Sequence, residues 1–510
     1  MCPPMTVPTG ATVEIEGIDR SPRAALKSRF GLALALAAFL GILLTPFDTL
    51  SPEAHSLAAI MAAVVVLWIT EALPMPVTAL IGAVACVVLR VAPARDVFAP
   101  FADPLMFLFI GSFMIAKAIM LHGLDKRIAY AVLSHPLVGS SPTRILFAFG
   151  AVTALISAWI SNTATTAMMY AIGMAILAFM SDNARKEGRT LDPRYATGLM
   201  LMTAFAASIG GLATPIGTPP NVIGTGFIRQ LTATELPFFS WMVIGVPVAF
   251  ILLIVLVLIL GRTARGVGQG DGGSAAMLVR ERERKGAWTT GEKSTVVAFS
   301  ITVILWVTPG LLALIFGDSS PQYRAMTARV PEGVAALAGA ILLFLLPGNQ
   351  GGKAITWREA AKIDWGIVLL YGGGFALGVL SFQTGLAETM GRGLIGFLPS
   401  SGGTGLLIAS TLMAVILSET TSNTASANMI VPVVISIAQA AGVDPVEPAL
   451  GATMGASLGF MLPVSTPCNA IVYGSGYIPL SKMMRYGVLL DIIGVVVIVT
   501  LIKVLLPIVR

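Results

Sequence analysis

Apolar residues run through this chain in long blocks, and polar residues are confined to short gaps between them. Blocks at 30–47, 55–73, 76–93 and 101–120 are each long enough for a membrane span. An amphipathic connector follows at 121–137, carrying His122, Asp125, Lys126 and Arg127, and suits the membrane surface. Residues 143–180 form one apolar stretch interrupted by Ser161-Asn162-Thr163. As a straight helix it would rise about 55 Å, against a hydrocarbon core of about 30 Å, so a re-entrant hairpin turning at Asn162 is expected. A helix at 195–229, broken at Thr214–Asn221, and a span at 238–260 complete the first half.

The second half repeats the plan. Spans are expected at 294–316, 331–346 and 364–388, a hairpin at 404–440 around Ser422-Asn423-Thr424, a broken helix at 447–476 and a last span at 484–507. The expected fold is an all-α polytopic membrane protein of about 11 transmembrane helices plus two re-entrant hairpins. An odd number of spans puts the hairpins on opposite faces, giving an inverted repeat with broken helices at the midplane.

Composition supports this pattern. Of 510 residues, 56% are apolar and 11% charged, where soluble domains carry roughly 25% charged residues. The alternating pattern of an outer-membrane barrel is absent. Cys2, Cys86 and Cys468 are too scattered for a disulfide framework, and three histidines offer no zinc cluster. The net charge of +6 reads as topology signal rather than as a nucleic-acid surface. With the N-terminus inside, about 23 of the 32 Lys and Arg fall on the cytoplasmic side and about 8 outside, with Lys117 inside a span. Residues 1–29 therefore read as an uncleaved cytoplasmic segment rather than a signal peptide. Residues 261–293, rich in Arg and Gly, read as a flexible cytoplasmic linker.

The candidate chemistry is duplicated. Each Ser-Asn-Thr is followed by a second matched motif, Ile216-Gly217-Thr218-Pro219-Pro220-Asn221 and Val464-Ser465-Thr466-Pro467-Cys468-Asn469. Proline stops the helix from closing, and Gly210, Gly211 and Gly217 permit the backbone turns. Helix N-termini offer N–H donors to an oxyanion, while unwound carbonyls, Ser and Thr hydroxyls and Asn oxygens suit a small cation. A single small-polar cluster is read most simply as helix packing; two copies with matched partners point to a midplane transport site. Neither motif pair contains Lys, Arg or His, so a dianion there needs compensating charge from elsewhere, with bound cations the obvious source and helix dipoles the alternative for an exchanger. Glu419, beside the second tip, is expected to hold the tip's geometry, with proton binding as the alternative, and Glu71, Lys117 and Asp491 to fix helix ends or pair inside the bundle. An intramembrane enzyme would need a base beside Ser161 or Ser422, or paired acidic metal ligands, and neither is present.

At these motifs the chain resembles the divalent anion/sodium symporter family. The run from Ala456 to Val472, the paired Ser-Asn-Thr, Thr70-Glu71-Ala72-Leu73-Pro74, and Ile363-Asp364-Trp365-Gly366 leading to Gly372-Gly373-Gly374 carry the likeness, which covers most of 30–507. The resemblance implies a homodimer in a plasma membrane, as in a bacterial inner membrane, working as an elevator. Scaffold helices would occupy 30–137 and 238–388, transport-domain repeats 143–230 and 404–476, with the last helix at 484–507. One sodium site would use Ser157, Ser161, Asn162 and the Gly217 carbonyl; the other Ser418, Thr421, Asn423 and the Ser465 carbonyl. Substrate would meet Asn162, Thr163, Thr218, Pro219, Asn423, Thr424, Thr466 and Pro467. Cys468 and Thr421 depart from the family pattern.

The function implied is sodium-driven import of a C4-dicarboxylate such as succinate, malate or fumarate, with Na+ as co-transported ion and no organic cofactor. A sodium-independent exchanger, or a sulfate, citrate or tartrate carrier, remains open on the same fold.

Overall fold

The computed structural model describes residues 22–47, 49–138, 141–186, 188–264, 273–317, 319–394 and 402–509. Residues 1–21 of the expected N-terminal segment and 265–272 of the expected linker lie outside the described residues. Among the described residues all extended regular structure is helical. Among the described residues nine helices are long and apolar enough to cross a membrane, or ten if the pair Pro321–Arg329 and Glu332–Leu345, bent by 57°, is one span. These are not the eleven expected spans one for one. The nine include Asn162–Lys186 and Gly402–Thr420, which fall in the expected hairpins, and leave out the broken helices and the short Met75–Val88.

Boundaries follow local chemistry. Pro52–Thr70, Pro104–His122 and Pro193–Gly211 each open on proline behind Ser51, Asp103 or Asp192, whose side chain accepts a first-turn N–H. Proline at that position gives up an N–H that has no helical partner anyway. Thr289 and Glu292 form a reciprocal capping box at the start of Thr290–Phe316.

The two halves show the same order. Pro104–His122 and the short Leu124–Leu133 precede the pair Pro142–Ser157 and Asn162–Lys186, the pair Pro193–Gly211 and Pro219–Thr232, and Phe238–Leu260. Trp365–Gln383 and the short Leu386–Leu394 precede Gly402–Thr420 and Asn423–Ala440, Val446–Gly455 and Pro467–Tyr473, and Leu480–Val509. Pro193–Gly211 lies at the centre, with Tyr195 through Gly211 all buried. Leu258, Ile304, Ile416 and Val496 stay exposed on the outer helices, where lipid would cover them.

The hydrophilic segment 261–293 differs from a plain flexible linker. It contains the helix Gly273–Arg284, anchored by the fully buried Leu278. The Arg127 guanidinium donates to Glu292 (2.7 Å) and to the carbonyls of Gly286 (3.0 Å), Lys285 (3.1 Å) and Ala287 (3.2 Å). Nothing in the local pattern announces a partner more than 150 positions away in the chain.

Candidate functional site

The helix pairs Pro142–Ser157 with Asn162–Lys186 and Gly402–Thr420 with Asn423–Ala440 each turn through a serine and an asparagine. Ser157 closes the arm Pro142–Ser157, and its hydroxyl lies 2.7 Å from the Asn162 side chain that opens the next arm. Ser418, two residues before the end of Gly402–Thr420, donates to Asn423 Oδ1 at 2.8 Å. The intervening serines cap the second arms: Ser161 Oγ accepts the Ala164 N–H (3.3 Å) and Ser422 Oγ the Ala425 N–H (3.2 Å). Thr163 and Thr424 therefore sit in the first turn of a helix whose N-terminal N–H groups face the tip.

The broken helices match in equal detail. Thr218 and Thr466 are extended, with φ of −147° and −141°, and hand over to helices opening on Pro219 and Pro467. Asn221 Nδ2 donates to the carbonyls of Gly211 and Thr214, both at 2.8 Å. Asn469 Nδ2 donates to those of Gly459 and Leu462, both at 2.9 Å. In both halves the acceptors lie ten and seven residues upstream. Each asparagine thus staples the unwound loop, a role that spacing alone does not reveal. Each leaves its Oδ1 buried without a partner.

Packing then crosses between the halves. Pro467–Tyr473 lies against Pro193–Gly211 and Asn162–Lys186, while Pro219–Thr232 lies against Asn423–Ala440 and Val446–Gly455. The Cys468 thiol faces Thr163, Thr166 and Ser208, so the second broken helix meets the first tip. Phe205 and Phe460 touch edge to face, 5.1 Å between centroids.

Three first-half residues converge on one point. One end of the Asn162 amide stands 2.7 Å from Ser157 Oγ, 3.1 Å from Ala207 O and 3.3 Å from Gly217 O. With the nitrogen there, these are hydrogen bonds. With Oδ1 there, the Ser157 hydroxyl donates to it and the Ala207 and Gly217 carbonyl oxygens face it, a cluster of oxygens that suits a cation. Oxygens held about 2.3–2.6 Å from a hard cation stand roughly 3.3–3.7 Å apart at right angles; the Gly217 separation meets the lower edge of that range and the Ala207 separation of 3.1 Å falls below it. A Cβ on Gly211 would come within 2.4 Å of Asn162 Oδ1, so the approach requires glycine.

In the second half Ser418, Asn423 and Ser465 surround Gly459, where a Cβ would lie 3.3 Å from Asn423 Oδ1, 3.3 Å from Ser418 Oγ and 3.4 Å from Ser465 Cβ. Ser418 Oγ is also 2.8 Å from Ala456 O. The Thr421 hydroxyl is turned away, donating to Leu417 O at 2.8 Å and lying 2.9 Å from Ser426 Oγ. Thr218 and Thr466 are buried, Asn162, Thr163, Pro219, Asn423 and Thr424 are half-buried, and Pro467 is exposed.

Glu419 holds the second tip. It accepts from Met461 N (2.7 Å), Leu462 N (3.2 Å) and Ser465 Oγ (2.5 Å), which is the structural role expected of it. Asp491, buried on the last helix, faces Glu419 rather than a helix end. Glu71 ends Pro52–Thr70 in the left-handed conformation and lies 3.8 Å from Lys27. Sequence reasoning missed the ion pair of Asp103 with Arg229 (2.6 Å), joined by Gln230 (3.4 Å) and the Tyr371 hydroxyl (3.5 Å). Its only local sign is a lone arginine in the apolar run 219–232.

A family model described as the sodium:sulfate symporter transmembrane region matches residues 26–509. The chain belongs to the divalent anion/sodium symporter family. It is 32% identical over 485 residues to the sodium-dependent dicarboxylate transporter SdcS of Staphylococcus saprophyticus, covering 94% of this chain and 91% of that one. It is also 32% identical over 450 residues to SdcS of Staphylococcus aureus strain MRSA252, covering 87% and 84%. The structure of the Alcanivorax borkumensis YdaH transporter aligns with a TM-score of 0.53 over 94% of this chain and 97% of that one, at 15% identity, a likeness of fold alone. Membership makes this symporter-family chain an integral membrane transporter of the plasma membrane and not an enzyme.

Proposed function

We propose that this transporter is a sodium-coupled symporter importing a dicarboxylate, with a C4-dicarboxylate as its substrate and an elevator motion as its mechanism. The observation that carries the reading is the matched pair of Ser-Asn tips, each facing an Asn-stapled break and neither holding a basic side chain. The similarity to sodium-dependent dicarboxylate transporters supports the same substrate class.

In this reading one sodium lies among Ser157, Ser161, Asn162 and the Gly217 carbonyl. The other lies among Ser418, Thr421, Asn423 and the Ser465 carbonyl, with Thr421 contributing its carbonyl because its hydroxyl is spent on Leu417. The two cations supply the positive charge that neutral tips lack, and the helix N-termini supply N–H donors. The carboxylates meet Asn162, Thr163, Thr218 and Pro219 at one end, and Asn423, Thr424, Thr466 and Pro467 at the other. Residues 143–230 and 404–476 form the moving domain of each protomer in a homodimer, with the N-terminus cytoplasmic.

The test is labelled succinate uptake into proteoliposomes. Uptake that needs an inward sodium gradient, and that potassium does not replace, is expected. Uptake that ignores sodium and needs internal dicarboxylate would replace symport with exchange.

A further inference from the structure

The last helix brings one more carboxyl group to the second tip. Gly487, Asp491 and Gly494 share a face of Leu480–Val509. A Cβ on Gly487 would come within 2.5 Å of Phe460 O, and one on Gly494 within 2.6 Å of Leu458 Cδ1, so this face lies against residues 458–461. Asp491 stands between the two glycines and is 5% exposed. Among the described residues Glu419 is the one charged group that acts on it, and the Phe460 N–H lies near without forming a hydrogen bond. Taken as an anion, Asp491 has no donor for either oxygen.

Glu419 is served differently. It takes the N–H groups of Met461 and Leu462 and the hydroxyl of Ser465, at 2.7, 3.2 and 2.5 Å. Two facing carboxyl groups out of water repel when both are anions, and bond when one proton lies between them. Glu419 already accepts three hydrogen bonds, so Asp491 is the member placed to donate.

We infer that Asp491 is a positioning residue for the second sodium site: its carboxyl O–H donates to Glu419, which fixes residues 461–465 and with them the Ser465 carbonyl. The inference rests on the sodium reading of Ser418, Asn423 and Ser465. The bond completes the partners of both buried acids without a basic side chain, and it ties the last helix to the loop that carries the ligand. The first half has no counterpart, because Phe238–Leu260 contains no acidic residue and Ala158 stands where the second tip has Glu419. Asp491 therefore acts on one half-site only.

The test is the sodium dependence of initial succinate uptake by the full-length protein in proteoliposomes. Asp491→Leu, which has no donor, should raise half-saturating sodium about fivefold, whereas Asp491→Asn, whose amide still donates to Glu419, should stay within about twofold of the wild type. The Leu shift should add to that of Ser157→Ala and shrink in a Ser418→Ala background, a selectivity that general loss of folding would not produce. The infrared difference between wild type and Asp491→Asn should show the carbonyl stretch of a protonated carboxyl group in the wild type alone. Asn behaving like Leu, Leu leaving half-saturating sodium unchanged, or no such band would overturn the role. Should Asp491→Leu fail to fold, Asp491→Asn decides: wild-type sodium dependence with the band lost supports the bond, and a raised half-saturation or an unchanged spectrum overturns it. Wild-type uptake that ignores sodium would sink the symport reading and this role together; sodium-driven uptake with an unshifted Leu variant sinks this role alone.

Discussion

The two half-sites share their bonds and differ in their surroundings. Ser157 with Asn162 matches Ser418 with Asn423, and the staples from Asn221 and Asn469 reach back by the same two intervals. Around the first, Ile216 and Thr218 are buried and Trp241 donates to Leu212 O at 3.0 Å. Around the second, Val464 is 78% exposed and Pro467 is also open. The buried loop is held by packing. The open loop is held by Glu419, whose carboxylate takes three donors from residues 461–465, where the first tip has Ala158. Geometry is thus carried by the repeated Ser and Asn bonds, and anchoring is solved separately in each half.

If that division is right, the largest effects fall on the shared bonds. Asn162→Ala and Asn423→Ala should each lower sodium-driven uptake about a hundredfold, as expected when a charge-linked hydrogen-bonding group leaves a buried site. A large loss in only one of the two would break the equivalence. Next comes anchoring. Glu419→Ala should destabilise the protein by about 3 kcal/mol, whereas Thr214→Val, which removes the hydroxyl bond to Ala158 O, should cost about 1 kcal/mol. Equal losses in thermal or denaturant unfolding would erase the contrast.

Arg229→Gln leaves the buried Asp103 carboxylate alone and Asp103→Asn leaves the half-buried Arg229 without its partner, and each should cost more singly than together, as a double-mutant cycle of uptake and stability would record. The smallest effect belongs to Thr421. With its hydroxyl turned to Leu417, Thr421→Ala should change apparent sodium affinity by less than about twofold, while Ser418→Ala weakens it about tenfold. A large Thr421 effect, read from sodium titrations of uptake, would put its side chain on the ion.

Much of this architecture is legible along the chain because its boundaries are written in residues with narrow local preferences. Ser161 and Ser422 mark where the second hairpin arms begin, and Pro219 and Pro467 mark where the broken helices resume. The number of spans is less legible, because a hairpin arm such as Asn162–Lys186 is as long and apolar as a crossing helix. What escapes is long-range pairing. Asp103 meets Arg229 across 126 positions, and Gly273–Arg284 owes its docking to contacts outside itself. Asn221 and Asn469 recur at matched places in the two halves, but their acceptors ten and seven residues upstream are set by how the unwound loops fold back.

The central claim is that both tips hold sodium beside one dianion. It is tested most directly by initial succinate uptake against sodium concentration in proteoliposomes, for the wild type, Ser157→Ala and Ser418→Ala. Two cooperating sodium sites predict a sigmoidal curve with a Hill coefficient approaching about 2, and each variant should shift it to higher sodium. A hyperbolic wild-type curve that neither serine variant moves would contradict the account.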